Sequence, residues 1–205
     1  MNRPKVTYIV GAFDRPASLP CCLWSLKVQT DPDFEVIVAD NSHTLDLQEE
    51  HRKIVDSMRD VRFSHRNTAF YPVPGWDCYW SAEWIVKNGH ARGDWLCLPN
   101  DDSYYVPIFQ EAMLEAATKR GWKFVYSDML YDRRIGGRYQ KLDVAPWRGA
   151  IDKTGFLIHR DVWIGFPNKA SEKVASTCDG EMANELVEQR KVRHGKVPEI
   201  LVVHN

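Results

Sequence analysis

Two stretches near the start of the chain, VTYIVGA at residues 6–12 and FEVIVA at 34–39, are continuous rather than alternating apolar runs. A strand exposed on one face alternates, whereas one covered on both faces reads apolar throughout, as parallel strands in an α/β protein do. Leu19, Leu23 and Leu26 fall at helical spacing between the two runs, and residues 45–58 repeat that spacing after the second. Strand, helix, strand, helix predicts a parallel sheet with covering helices. The turn Gly11-Ala12-Phe13-Asp14-Arg15-Pro16 closes the first strand, with Pro16 placed to open a helix.

The remaining elements follow in order. A short strand is predicted over 61–65 and an irregular loop with Pro72 and Pro74 over 66–75. A helix over 76–88 should turn Trp80, Trp84 and Ile85 inward, and Gly89 and Gly93 end it ahead of an apolar strand at 94–98. The second half reads as helix 107–120, strand 124–131, a hairpin at 133–141 around Gly136-Gly137, strand 154–159, helix 179–190 and strand 200–204. With 205 residues and no repeat or convincing linker, one domain is expected. The predicted class is α/β: a mostly parallel central sheet flanked by helices, with a smaller antiparallel part in the C-terminal half.

Composition narrows the function. At 44% hydrophobic and 27% charged the chain is an ordinary globular one, and a formal charge of -1 gives no global reason to bind a polyanion. Five cysteines without paired CxxC spacing indicate neither a disulfide framework nor a zinc site. No charged-then-apolar leader and no apolar run near the ~20 residues that span a bilayer are present, so a cytoplasmic protein without a transmembrane segment is expected.

The strand at 94–98 runs into Pro99-Asn100-Asp101-Asp102-Ser103. Carboxylates at the end of a strand in an open α/β sheet suit magnesium or manganese, and such a cation in turn neutralises a diphosphate. The same residue types also build a plain surface turn. Three strand ends, at 13–15, 40–42 and 100–103, should meet in one crevice, which favours the ligand-binding reading.

These residues resemble the GT-A glycosyltransferases, in particular the family-2-like group. Gly93 before the strand, the triplet after it and Pro107 opening the next helix match that family's Gly, Asp-x-Asp, Pro order, with Asn100 in place of the first Asp. The resemblance implies a metal-dependent, inverting transfer from a nucleoside-diphosphate sugar, UDP-linked first among donors, by a single GT-A-like domain. Residues 1–103 would bind the donor and 104–205 the acceptor. It places Ala12, Phe13 and Arg15 at the donor, with Phe13, where the family has Tyr, stacked on the base. Asp40 would accept a hydrogen bond from the base or ribose, Asn67 would lie in a further donor loop, and Asn100 and Asp101 would line the ribose side. Asp102 and His204 would bind manganese or magnesium; Asp179 would be the general base, with Glu181 in reserve. Each has a bland alternative: Phe13 as core, Asp40 and Asp179 as helix N-caps, His204 as a surface histidine near a frayed end.

The family's Ala-Arg-Asn segment ahead of Gly93 is not recognisable, and with Asn100 it motivates an alternative: a non-catalytic nucleotide-sugar-binding or scaffold protein of the same fold. Tyr126, Tyr131, Trp147 and Trp163, with Arg133, Arg134, Arg138 and Arg148, suggest an acceptor of sugar or phosphate character: a carbohydrate, a lipid-linked glycan or a modified nucleic-acid base. Oligomeric state is not legible.

Overall fold

Every residue of β1 (Val6–Ala12) except Gly11, and every residue of β2 (Phe34–Asp40), is buried, which is why both runs are almost wholly apolar up to Asp40 at the end of β2. They pair in parallel from Val6↔Phe34 to Ala12↔Asp40. The polar exceptions satisfy each other: Thr7 Oγ1 donates to Glu35 at 2.7 Å, and Glu35 also accepts from the Arg92 amide.

The computed structural model describes residues 3–69, 78–132, 139–147, 149–166 and 178–205. Its remaining strands are β3 (Phe63–Asn67), β4 (Trp95–Cys97), β5 (Ser103–Tyr105), β6 (Phe124–Asp132), β7 (Tyr139–Leu142), β8 (Phe156–His159) and β9 (His194–His204). One mixed sheet results, in the order β3-β2-β1-β4-β8-β6-β9-β5, with β7 paired to β6. β1 to β4 run parallel, as do β6 and β9, while β8, β7 and β5 pair antiparallel to their neighbours. The expected α/β class holds. The chain leaves β1 for β2 on one side and returns to it as β4 on the other, so a crevice opens at the C-terminal ends of β1 and β4.

The helices are α1 (Leu19–Lys27), α2 (Leu45–Ser57), α3 (Cys78–Lys87), α4 (Phe109–Arg120) and α5 (Cys178–Asn184), the last running into a π turn, Glu185–Gln189. α3 packs on β1 and β2, α1 against β5 and α2, and α4 against β6 and β9. None of the described helices is long and apolar enough to cross a membrane.

Several boundaries differ from the sequence reading. The first helix opens at Leu19 with Pro20, not Pro16, in its first turn, because residues 16–18 form a separate turn. β3 starts at Phe63; Val61 is fully exposed. Trp80 and Trp84 are half-buried, and Tyr79, Ala82 and Ile85 form the inward face of α3. The last strand begins at His194 rather than residue 200. Pro198 falls at a register shift against β6, so a bulge carries the strand past the residue that could not donate to the ladder.

Gly93 enters β4 against β1, and a Cβ there would lie 2.4 Å from Thr7 N and 2.6 Å from Val6 C. Backbone cannot yield as a side-chain tip can. Gly93→Ala should therefore cost about 1–3 kcal/mol in urea unfolding, and an unchanged midpoint would contradict this close approach.

Candidate active site

Beyond β4, the chain keeps to β1 as far as residue 101: Gly11 N donates to Pro99 O at 2.9 Å, and Asp101 N donates to Gly11 O at 3.2 Å. Glycine is needed at position 11, since a Cβ would lie 2.7 Å from Cys78 Cβ on α3. The turn after β1 is thereby set beside the acidic pair. Asp101 Oδ2 accepts from the Phe13 amide at 3.1 Å, and the Arg15 guanidinium spans Asp101 Oδ1 and Asp102 Oδ2 at 2.5 Å each. Asp101 is wholly buried, and burial lifts its carboxyl to about 6, more than Arg15 and the Phe13 amide pull it down.

β9 pairs with β5 at Ser103↔His204, which carries His204 to the same place. His204 Nδ1 lies 3.2 Å from Ser103 Oγ and 3.5 Å from Asp102 Oδ1, and Nε2 faces Asp152 Oδ2 at 3.9 Å. It is buried within a strand, not exposed near a frayed end. Asp102 Oδ1 is also buried and accepts no hydrogen bond among the described residues. One orphaned carboxylate oxygen facing one imidazole nitrogen fits a hard divalent cation that takes its other ligands from substrate phosphate and water. No three acidic, histidine or cysteine groups among the described residues could hold an ion by themselves, so phosphate would have to complete the set.

A further group escaped the sequence reading as a site. Asp152 and Lys153 lie at a 3-10 turn, Lys153–Gly155, leading into β8. The Lys153 amide donates to Asp179 Oδ2 at 2.9 Å, and its ammonium donates to Leu98 O at 3.4 Å and to Asn100 Oδ1. Asp179 lies inside the first turn of α5, where its carboxylate receives that amide from another segment. Burial, together with the Asp152 carboxylate, pushes Asp179 up to about 7, against the opposing effects of Lys153 and the Tyr79 hydroxyl. Burial also works against the Asp152 charge, but His204 and Lys153 outweigh it and hold that carboxyl below the usual range. Glu181 is half-buried on the same helix. A lone lysine between Asp152 and Thr154 carries no motif, so only the topology reveals it.

Elsewhere on the rim, Phe13 is half-buried with its ring edge-on to His43, centroids 4.8 Å apart, and is not core. Ala12 is buried and its carbonyl accepts from Asn41 N at 3.0 Å. Asp40 is wholly buried: it accepts from Ser42 N at 2.9 Å and pairs with His65 Nε2 at 2.9 Å and His51 Nδ1 at 3.2 Å. Burial alone would raise this carboxyl, but those bonds keep it well below the usual range. Its oxygens therefore face histidines rather than the crevice, and Thr44, not Asp40, caps α2. Asn67 ends β3 away from the acidic pair, with its amide bonded to Gln48 at 2.5 Å and its carbonyl to Ala69 N. Tyr126 is core, Tyr131 lies against His204, Trp163 packs on Phe166, and Trp147 is exposed. Arg133, Arg134, Arg138 and Arg148 fall outside the described residues.

Residues 7–164 match the profile of a family described as glycosyl transferase family 2. No curated protein matches the chain in sequence. Among solved structures, the mannosyltransferase PcManGT from Pyrobaculum calidifontis, in complex with GDP-Man and Mn2+, aligns with a TM-score of 0.74 at 15% identity, over 100% of this chain and 57% of its own. S. aureus TarS 1-349 aligns with a TM-score of 0.69 at 17% identity, over 98% of this chain and 60% of its own. Its complex with UDP-GlcNAc gives 0.66 at 17%, over 97% and 58%. The chain thus spans well under two thirds of these neighbours, and at such identities the likeness is one of fold.

Removing the guanidinium in Arg15→Met takes from Asp101 and Asp102 the cation that bridges them. Since Asp101 already titrates near 6, a proton relieves the native state below that pH and is lost above it. The variant should lose about 2–3 kcal/mol in urea unfolding at about pH 7.5, after allowance for the partly exposed guanidinium, and clearly less at about pH 5. Equal losses at both would show that Arg15 does not act as a counter-charge.

Proposed function

The chain belongs to glycosyl transferase family 2, and from that premise we propose that it moves a sugar from a nucleoside-diphosphate sugar to an acceptor hydroxyl, with a divalent ion and inversion at the anomeric carbon. One observation carries the proposal: the orphaned Asp102 oxygen faces the His204 imidazole at the crevice where the Phe13–Arg15 turn ends. GDP-Man with Mn2+ in PcManGT and UDP-GlcNAc in TarS support a nucleotide-sugar donor, with UDP the first to test.

Residues 1–103 form the donor half in this reading. The Phe13 ring would stack on the base, Arg15 would be the cation nearest the incoming diphosphate, and Ala12 and Asn100 would line the path between them, with the buried Asp101 behind it. Asp40 acts one step behind, by fixing His65 and Ser42, and Asn67 marks the outer rim. Manganese or magnesium, held by Asp102 and His204, would stabilise the charge that develops on the leaving diphosphate. Asp152, beside Nε2, would orient the imidazole, and the Ser103 hydroxyl, 3.2 Å from Nδ1, would turn aside for that nitrogen to take the ion. Residues 104–205 take the acceptor, a carbohydrate, a lipid-linked glycan or a modified base.

Asp179 takes the proton from the acceptor hydroxyl, with Glu181 in reserve. A carboxyl titrating near 7 is matched to that task at neutral pH, and direct displacement assisted by one base inverts the anomeric centre. Below about 7 Asp179 is protonated and cannot act, so kcat/KM should fall on the acid side. Asp179→Asn should lower kcat by about 10²–10⁴ and remove that limb; a pH-rate profile that keeps it would assign the base elsewhere.

A second reading, binding without turnover, is favoured by Asn100 and by Arg15 already occupying both acidic side chains. Incubation with UDP-, GDP- and dTDP-sugars in manganese, scored for transfer and hydrolysis, decides between them. Asp102→Ala should abolish manganese-dependent turnover while the far-UV spectrum and melting temperature stay close to wild type. Nucleotide binding by calorimetry with no turnover from any donor would favour the second reading.

A further inference from the structure

Lys153 is buried, at 4% exposure, beneath the Asn100-Asp101-Asp102 stretch, and its ammonium donates to Leu98 O and to Asn100 Oδ1. An ammonium only donates, so the Asn100 amide has one orientation, Oδ1 toward Lys153 and Nδ2 away from it. Asn100 is half-buried, it lines a small crevice with Gly11, Phe13, Arg15 and Cys78, and its Nδ2 makes no hydrogen bond among the described residues. Burial disfavours the Lys153 charge, but the surrounding Cys78, Asp152, Asp179 and Asp102 outweigh it and keep the amine protonated. An aspartate at position 100 would close a salt bridge with that ammonium, cancel its charge and present an acceptor to the crevice. Asparagine does neither: it leaves the charge in place and presents N–H groups.

We propose that Asn100, oriented by Lys153, is a phosphate-binding residue whose amide donates to an oxygen of the donor diphosphate. Lys153 is the positioning residue, acting through Asn100 and adding its charge behind the amide. An anionic oxygen is the ligand such a polarised donor suits, and a ribose hydroxyl gains less from it. The inference rests on the donor reading of the site. It turns the substitution at position 100 from a loss of an acidic ligand into a gain of an anion contact.

Calorimetry with UDP and GDP, each against its monophosphate, tests this in EDTA and again in manganese, on wild type, Asn100→Asp and Lys153→Met. The preference of the wild-type chain for diphosphate over monophosphate in EDTA should drop by about tenfold or more in both variants. A general packing defect would weaken both nucleotides alike and leave that ratio unmoved. Should Lys153→Met fail to fold, Asn100→Asp carries the test, because it keeps the lysine and the side-chain shape. An unchanged ratio, or a tighter diphosphate complex of Asn100→Asp in EDTA, overturns the inference while the donor site stands. Failure of the wild-type chain to bind any of the four nucleotides in manganese overturns the donor reading itself, and this inference with it.

Discussion

The site depends on the backbone pairing between Gly11 and residues 99–101. β4 is only three residues long, yet the bonds from Gly11 N to Pro99 O and from Asp101 N to Gly11 O extend its contact with β1 to the acidic pair. Without them, the Phe13 amide and the Arg15 guanidinium would have no fixed relation to Asp101 and Asp102. That pairing needs a residue without a side chain at position 11, because α3 presses Cys78 into the same space. A steric requirement at one glycine thus precedes the electrostatics of the whole crevice.

In and behind the crevice, Asp40, Asp101, Asp102, Asp152 and Asp179 each have a positive or hydrogen-bonding neighbour. Arg15 serves Asp101 and Asp102, Lys153 serves Asp179 through its amide and Asp152 through its charge, and His51 with His65 serves Asp40. The outcomes diverge because burial and partners are weighted differently. Asp40 collects enough bonds to stay ionised, whereas Asp179, beside another carboxylate, holds its proton to near neutrality. Two carboxyls kept apart in this way can divide the work of structure and proton transfer.

Much of this was legible in the chain itself. Continuous apolar runs predicted the parallel strands because covering both faces of a strand leaves no polar positions, and the polar strand ends predicted the crevice. What stayed hidden depended on contacts between distant segments. Nothing local marks Lys153, since its role comes from a turn that topology places under Asn100. Asp40 sits where the sequence suggests an exposed acceptor, but His51 on the inner side of α2 and His65, two residues before Asp40's register partner Asn67 on β3, close over it. The start of β9 was obscured by Pro198, which reads as a strand breaker until the bulge against β6 is seen. β5, at three residues, is too short to leave a periodic signal.

Lys153 reaches in two directions, by its amide to Asp179 and by its ammonium to Asn100. The residue read as the base and the residue read as the anion contact are therefore mechanically joined through one side chain and one peptide. Substitutions at positions 100 and 179 should not be energetically independent, although no atom of either need touch the other. Lineages drifting toward a new acceptor would have to adjust this lysine's surroundings without releasing its hold on the donor side. Position 153 is in that sense a constraint on how far the two halves of the site can diverge separately.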